Sequence, residues 1–211
     1  MDTNDLVRRL TAGTVQVSRL PSPEVRTARW LAVALPAVAI VVLLMSPRDD
    51  LSTKLSESRF LIEQTAAFAT AVTAALAAFC MIIPGHSRWI ALLPAAPLAV
   101  WLGSLGQGCI RGWSNGLEFY PDWICFPAII LVGTVPALTM LAMLRRGAPL
   151  TPHLTVALGA LAAAALGNFG LRLFHAQDAS LMVLAWQFGS VALLSVLACC
   201  SGGHLLRWRH A

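Results

Sequence analysis

Leu61 to Ile83 reads LIEQTAAFATAVTAALAAFCMII. An α-helix needs about 20 apolar residues to cross the hydrocarbon core of a bilayer, and this stretch is long enough. Its single charge, Glu63, stands near one end. Small residues recur at every fourth position, as Ala67-Ala71-Ala75 and Thr70-Ala74-Ala78. Lipid offers helices no hydrophobic reason to associate, so spans pack through small residues that let backbones approach. The stretch reads as a membrane-spanning helix with a close-packed face.

Five further segments have the length and composition of spans: Ala28–Met45, Trp89–Gly106, Trp123–Leu144, His153–Leu173 and Ala179–Cys200. Pro84–Arg88 and Phe174–Asp178 are short enough to make tight helical hairpins. The fifth segment repeats the small-residue spacing as Gly159-Ala163-Gly167. The composition agrees: the 211 residues are 57% hydrophobic and 12% charged, against about 25% charged in soluble domains, and the mean hydropathy is +0.71. The expected fold is an all-α integral membrane protein, a six-transmembrane-helix bundle with a short N-terminal cytoplasmic amphipathic helix. Residues 1–27 form the arm, 28–206 the bundle and 207–211 a tail. The first apolar run runs into Arg48-Asp49-Asp50 without a small-residue cleavage site, so it reads as a retained span. Pro36, Pro94, Pro97, Pro127 and Pro136 lie within or near span ends and are expected to bend their helices.

Six spans place both termini on one side, and basic residues decide which. With the termini inside, ten Lys/Arg face the cytoplasm and five face out, while three acids face in and seven face out. The expected location is a bacterial inner membrane with both termini cytoplasmic. The net charge of +5 is then a topology signal rather than a nucleic-acid footprint. The chain holds no GxxxxGK[ST], HExxH or GxSxG motif. Together with the lack of paired carboxylates inside spans, this argues against an ATPase, a protease or a proton-coupled transporter. Glu63 and Arg172 sit close to span ends and read as interfacial charges or an ion pair.

On the arm, Asp2 and Thr3 can cap a helix, with Asp5 in its first turn. Leu6, Leu10 and Val17 fall on one face, with Arg8, Arg9 and Arg19 on the rest. Pro21 and Pro23 are expected to end that helix and form a stiff connector. A helix this short is marginal in water, so docking on anionic lipid or in a groove of a soluble partner is expected.

Gly106 to Phe126 reads GQGCIRGWSNGLEFYPDWICF, a polar interruption between spans with a cysteine near each end. Cys109 and Cys125 fall at the outer ends of consecutive antiparallel spans. An oxidising compartment permits a disulfide there. The pair reads either as a constitutive staple or as a switchable thiol pair. With His175 and Asp122 or Asp178, two thiolates could also hold a soft metal ion. Cys80, Cys199 and Cys200 read as small buried hydrophobes.

The chain resembles the NrsF family of membrane anti-sigma factors. The resemblance rests on Leu6–Leu10 in the arm, Ser58–Glu63, Gly108-Cys109, Pro121–Phe126 and Leu171–Ser180. It implies a six-span, non-enzymatic protein that holds an extracytoplasmic-function (ECF) sigma factor inactive until external oxidative or heavy-metal stress. It further implies sensing by Cys109 and Cys125 and partner contact by Leu6, Arg8, Arg9 and Leu10. No cofactor is expected beyond a heavy-metal ion at the cysteine pair. Two other classes remain open: a membrane thiol–disulfide oxidoreductase, disfavoured by the lack of a CxxC pair, and a small-solute transporter, disfavoured by the few polar groups in the spans.

Overall fold

The computed structural model describes residues 2–12, 20–83, 85–113, 125–147, 151–175, 196 and 200, without the side chains of residues 9, 10, 107–113 and 125–130. The described chain is helical: α1 (Thr3–Ala12), α2 (Pro23–Leu44), α3 (Leu51–Leu55), α4 (Ser58–Cys80), a 3₁₀ turn (Arg88–Leu92), α5 (Ala95–Trp113), α6 (Cys125–Leu144) and α7 (Pro152–Phe174). Among the described residues, four stretches are long and apolar enough to cross a membrane: Pro23–Leu44, Ser58–Cys80, Arg88–Gly106 and Pro152–Phe174. Leu131–Leu144, within α6, is a shorter apolar helix. The expected span Ala179–Cys200 lies outside the described residues except for Val196 and Cys200.

The centre of the bundle is α4 against α7, with α2 and α6 packed around them and α5 on the outer side of α4. The small-residue spacing explains this. Ala67, Ala71, Ala75, Thr70, Ala74 and Ala78 are all buried. The threonine hydroxyls of α4 need no outside partner: Thr70 donates to the Ala66 carbonyl at 2.8 Å and Thr73 to that of Ala69 at 2.7 Å. On α7, Gly159, Ala163 and Gly167 are buried as well. A Cβ at Gly167 would stand 3.4 Å from the Gly133 Cα, so α6 and α7 meet there backbone to backbone.

Three boundaries differ from the sequence expectation. Pro23 opens α2 instead of ending a connector, with Ser22 as its N-cap and Val25 N–H donating to Ser22 Oγ at 3.5 Å. A first-turn proline loses nothing, because its missing N–H would have had no intrahelical acceptor. The segment expected as one span from Trp89 breaks at Pro94. Leu93 N–H closes the 3₁₀ turn on the Ile90 carbonyl at 3.0 Å, and α5 starts beyond the proline. The polar interruption is shorter than its composition suggested: Gly106–Trp113 continues α5, and Cys125 already begins α6. Polar residues at the end of a helix do not stop it, and no proline occurs in this region before Pro121. Gly85, at φ +92°, makes the turn after α4 in a conformation that glycine adopts without strain.

Candidate functional site

One end of the bundle gathers the N-terminus of α4, the C-terminus of α7 and the connection after α2. Arg48 N–H donates to the Leu173 carbonyl at 3.1 Å, tying that connection to α7. The Arg48 side chain, itself buried, forks onto Asp50 with contacts of 2.6 and 2.8 Å. A bidentate fork holds both groups in a fixed geometry. Next to it, Glu63 is 3% exposed and lies between two guanidinium groups. Arg172 Nη2 reaches one carboxylate oxygen at 3.0 Å and Arg59 Nε the other at 2.9 Å. Arg172 also lies over the Phe60 ring, 5.4 Å from its centroid. Of the two readings open for these span-end charges, interfacial groups or an ion pair, they form the ion pair, and it crosses from α4 to α7. One residue on, Gln64 Nε2 donates to the Phe169 carbonyl at 3.2 Å.

The opposite end is closed by Arg26 and Trp30 of α2. Arg26 Nη2 donates to the Met143 carbonyl at 2.6 Å, in the last turn of α6, and the guanidinium stacks 4.6 Å from the Phe79 ring centroid. A cation at a helix C-terminus meets carbonyls with no intrahelical donor. Trp30 is completely buried and its indole N–H donates to the Pro136 carbonyl at 3.0 Å. These two contacts fasten α2 to α6. Cys80 is a buried free thiol at this end, as expected, whereas Cys200 is exposed rather than buried.

The residues singled out from the sequence fall as follows. Cys109 lies within the last two turns of α5 and Cys125 is the first residue of α6; their side chains are outside the described residues. Asp122 and Asp178 also lie outside the described residues. His175 ends α7, its N–H donating to the Leu171 carbonyl at 2.9 Å, three residues beyond Arg172. Among the described residues, no group of three or more His, Cys, Asp or Glu is placed to hold a metal. The helix carrying Cys109 packs on α4, and the helix carrying Cys125 packs on α7 and α2. On the arm, α1 is helical from Thr3, with the Asp2 carboxylate accepting from Asn4 N–H at 3.4 Å, so Asp2 is its cap. Leu6, Val7 and Arg8 are exposed. The side chains of Arg9 and Leu10 are outside the described residues.

Sequence reasoning missed Gln64, Asn168, Arg26 and Trp30. Gln64 and Asn168 were visible as amides within apolar segments, and two buried amides inside a bundle are more than its few charges suggested.

Residues 10–208 match the family described as NrsF, negative regulator of sigma F. The chain belongs to the NrsF family. It is thus a negative regulator of a sigma factor, a regulatory rather than a catalytic kind of protein, and its apolar helices fit a membrane-bound member. Comparisons with curated proteins and with solved structures found no match.

Proposed function

We propose that this NrsF protein is an inner-membrane anti-sigma factor of six spans. It holds an ECF sigma factor at the cytoplasmic face and releases it when oxidant or a heavy metal reacts with Cys109 and Cys125. The observation that carries the reading is family membership over nearly the whole chain. Sidedness supports the division of labour. Ten basic residues inside and five outside put both termini in the cytoplasm. The end with Glu63, Arg172 and His175 then faces out, together with the C-terminus of α5 and the N-terminus of α6. The exposed α1 faces in, with Leu6 and Leu10 one turn apart on one face and Arg8 and Arg9 beside them. An apolar stripe flanked by arginines suits a groove with an acidic rim on a soluble protein.

The outer chemistry needs no catalytic group. Two thiols form a disulfide by giving two electrons to the oxidant and releasing two protons; alternatively, two thiolates bind a soft cation, with His175 and Asp122 or Asp178 available as further ligands. The membrane around the spans is the second partner, and no direct nucleic-acid contact is required.

The binding half is tested by co-purification from cells in detergent. The full chain is expected to retain a sigma factor, and a chain lacking residues 1–20 to retain at least about tenfold less, since a few anchor residues carry most of an interface's energy. Equal retention by both would remove the arm from the binding surface.

A further inference from the structure

The buried threonines are satisfied locally: Thr27, Thr70 and Thr155 each donate to the carbonyl four residues back. A carboxamide carries too many polar groups for that solution. Gln64 is 6% exposed and spends its Nε2 on the Phe169 carbonyl, leaving Oε1 without a partner among the described residues. Asn168, also 6% exposed, has no partner there for either Oδ1 or Nδ2. Asn168 precedes Arg172 by four residues and so shares its face of α7, one turn deeper into the bundle. Gln64 adjoins Glu63 on α4. Three amide atoms without partners among the described residues therefore stand on the two helices that the ion pair joins.

Buried amides without partners are costly, and pairing them would offset part of that cost. The pairing requires α7 to shift or rotate against α4 until Asn168 Nδ2–H meets Gln64 Oε1. The interface that would move is the one between the two cysteine-bearing helices, because α5 packs on α4 and α6 packs on α7. A change at the ends of α5 and α6 would therefore bear on α4 through α5 and on α7 through α6.

We propose that Gln64 and Asn168, beside the Glu63–Arg172 pair, form a two-state latch between α4 and α7. In the arrangement seen here the ion pair is closed and the amides are apart. In the second, the amides pair with each other, and that arrangement releases the sigma factor. The latch rests on the sensing role proposed for Cys109 and Cys125 and supplies the element that carries their signal across the bundle. A conformational signal needs such an element, favoured differently by the two chemical states.

The test uses the full chain in lipid nanodiscs with its co-purified sigma factor, titrated with diamide or Cd²⁺. Asn168→Leu keeps the branched shape and the number of heavy atoms and removes the amide, and Asn168→Ala is the second, smaller variant. Both are expected to hold the sigma factor at rest within about twofold of wild type, and to release it about five- to tenfold less under stress, the value of one buried hydrogen bond. Asn168→Gln, which keeps a carboxamide, is expected to restore part of the release. If both apolar variants release as wild type does, the latch is overturned and the sensing role stands. If they lose the sigma factor at rest, the amide belongs to resting packing and the latch is overturned. If wild type itself does not respond, or responds equally with Cys109→Ser and Cys125→Ser, the sensing role fails and the latch falls with it.

Discussion

Glu63→Leu is expected to destabilise the bundle by about 3 kcal/mol, because it removes one partner of a buried ion pair and with it the charge-assisted contact from α4 to α7. The cost falls on Arg172. Its side chain is 10% exposed, and it would keep its contact with the Phe60 ring but lose the carboxylate 3.0 Å away. Arg59, 41% exposed, can turn to water or headgroups and adds little. Glu63→Leu with Arg172→Leu should recover most of the loss, since an apolar pair of similar volume is often as stable as a buried ion pair. Unfolding in mixed detergent micelles, run as a double-mutant cycle, reads both numbers. A single variant within about 0.5 kcal/mol of wild type, the range of ordinary surface substitutions, would show that the pair does not hold α4 to α7.

Trp30→Ala is expected to cost about 3 kcal/mol, at the low end for a large aromatic truncated to alanine. The low end applies because lipid supplies no hydrophobic driving force between helices, so the loss is mainly of packing contacts around a fully buried ring. The indole bond to the Pro136 carbonyl is the smaller part. Trp30→Phe keeps most of the ring and should cost about 1 kcal/mol. The order of the two variants is the check: if Trp30→Phe loses as much as Trp30→Ala, the hydrogen bond rather than the packing fastens α2 to α6.

The apolar segments and the small-residue faces of α4 and α7 were readable because each depends on period and composition within one helix, whereas the sequence left Glu63 and Arg172 open between interfacial charges and an ion pair. Helix ends were less readable. Pro23 and Pro94 act oppositely, one opening a helix and one breaking a segment, and the outcome depends on which N–H groups have acceptors upstream. Residues 106–113 are polar enough to look like a loop, yet they continue α5, since nothing there prevents helical hydrogen bonding. Arg26, Trp30, Gln64 and Asn168 were not readable as a set. Their partners are backbone carbonyls or neighbours far along the chain, and no local pattern announces which carbonyl a side chain will meet. Of the candidate site, Leu6 and Arg8 are exposed on α1, Cys109 falls within α5 and Cys125 begins α6. The chemistry of those thiols was suggested by their bracketing of a polar segment and by family likeness, not by local physics.

The most direct test follows the sigma factor itself. Full-length protein in nanodiscs, with the sigma factor bound, is treated with diamide or Cd²⁺, and the released fraction is measured for wild type and for the Cys109→Ser, Cys125→Ser double variant. Wild type is expected to release the sigma factor and the double variant at least about tenfold less, because the favoured state loses its differential stabilisation. Release from the double variant equal to that from wild type would contradict the sensing role of the cysteine pair.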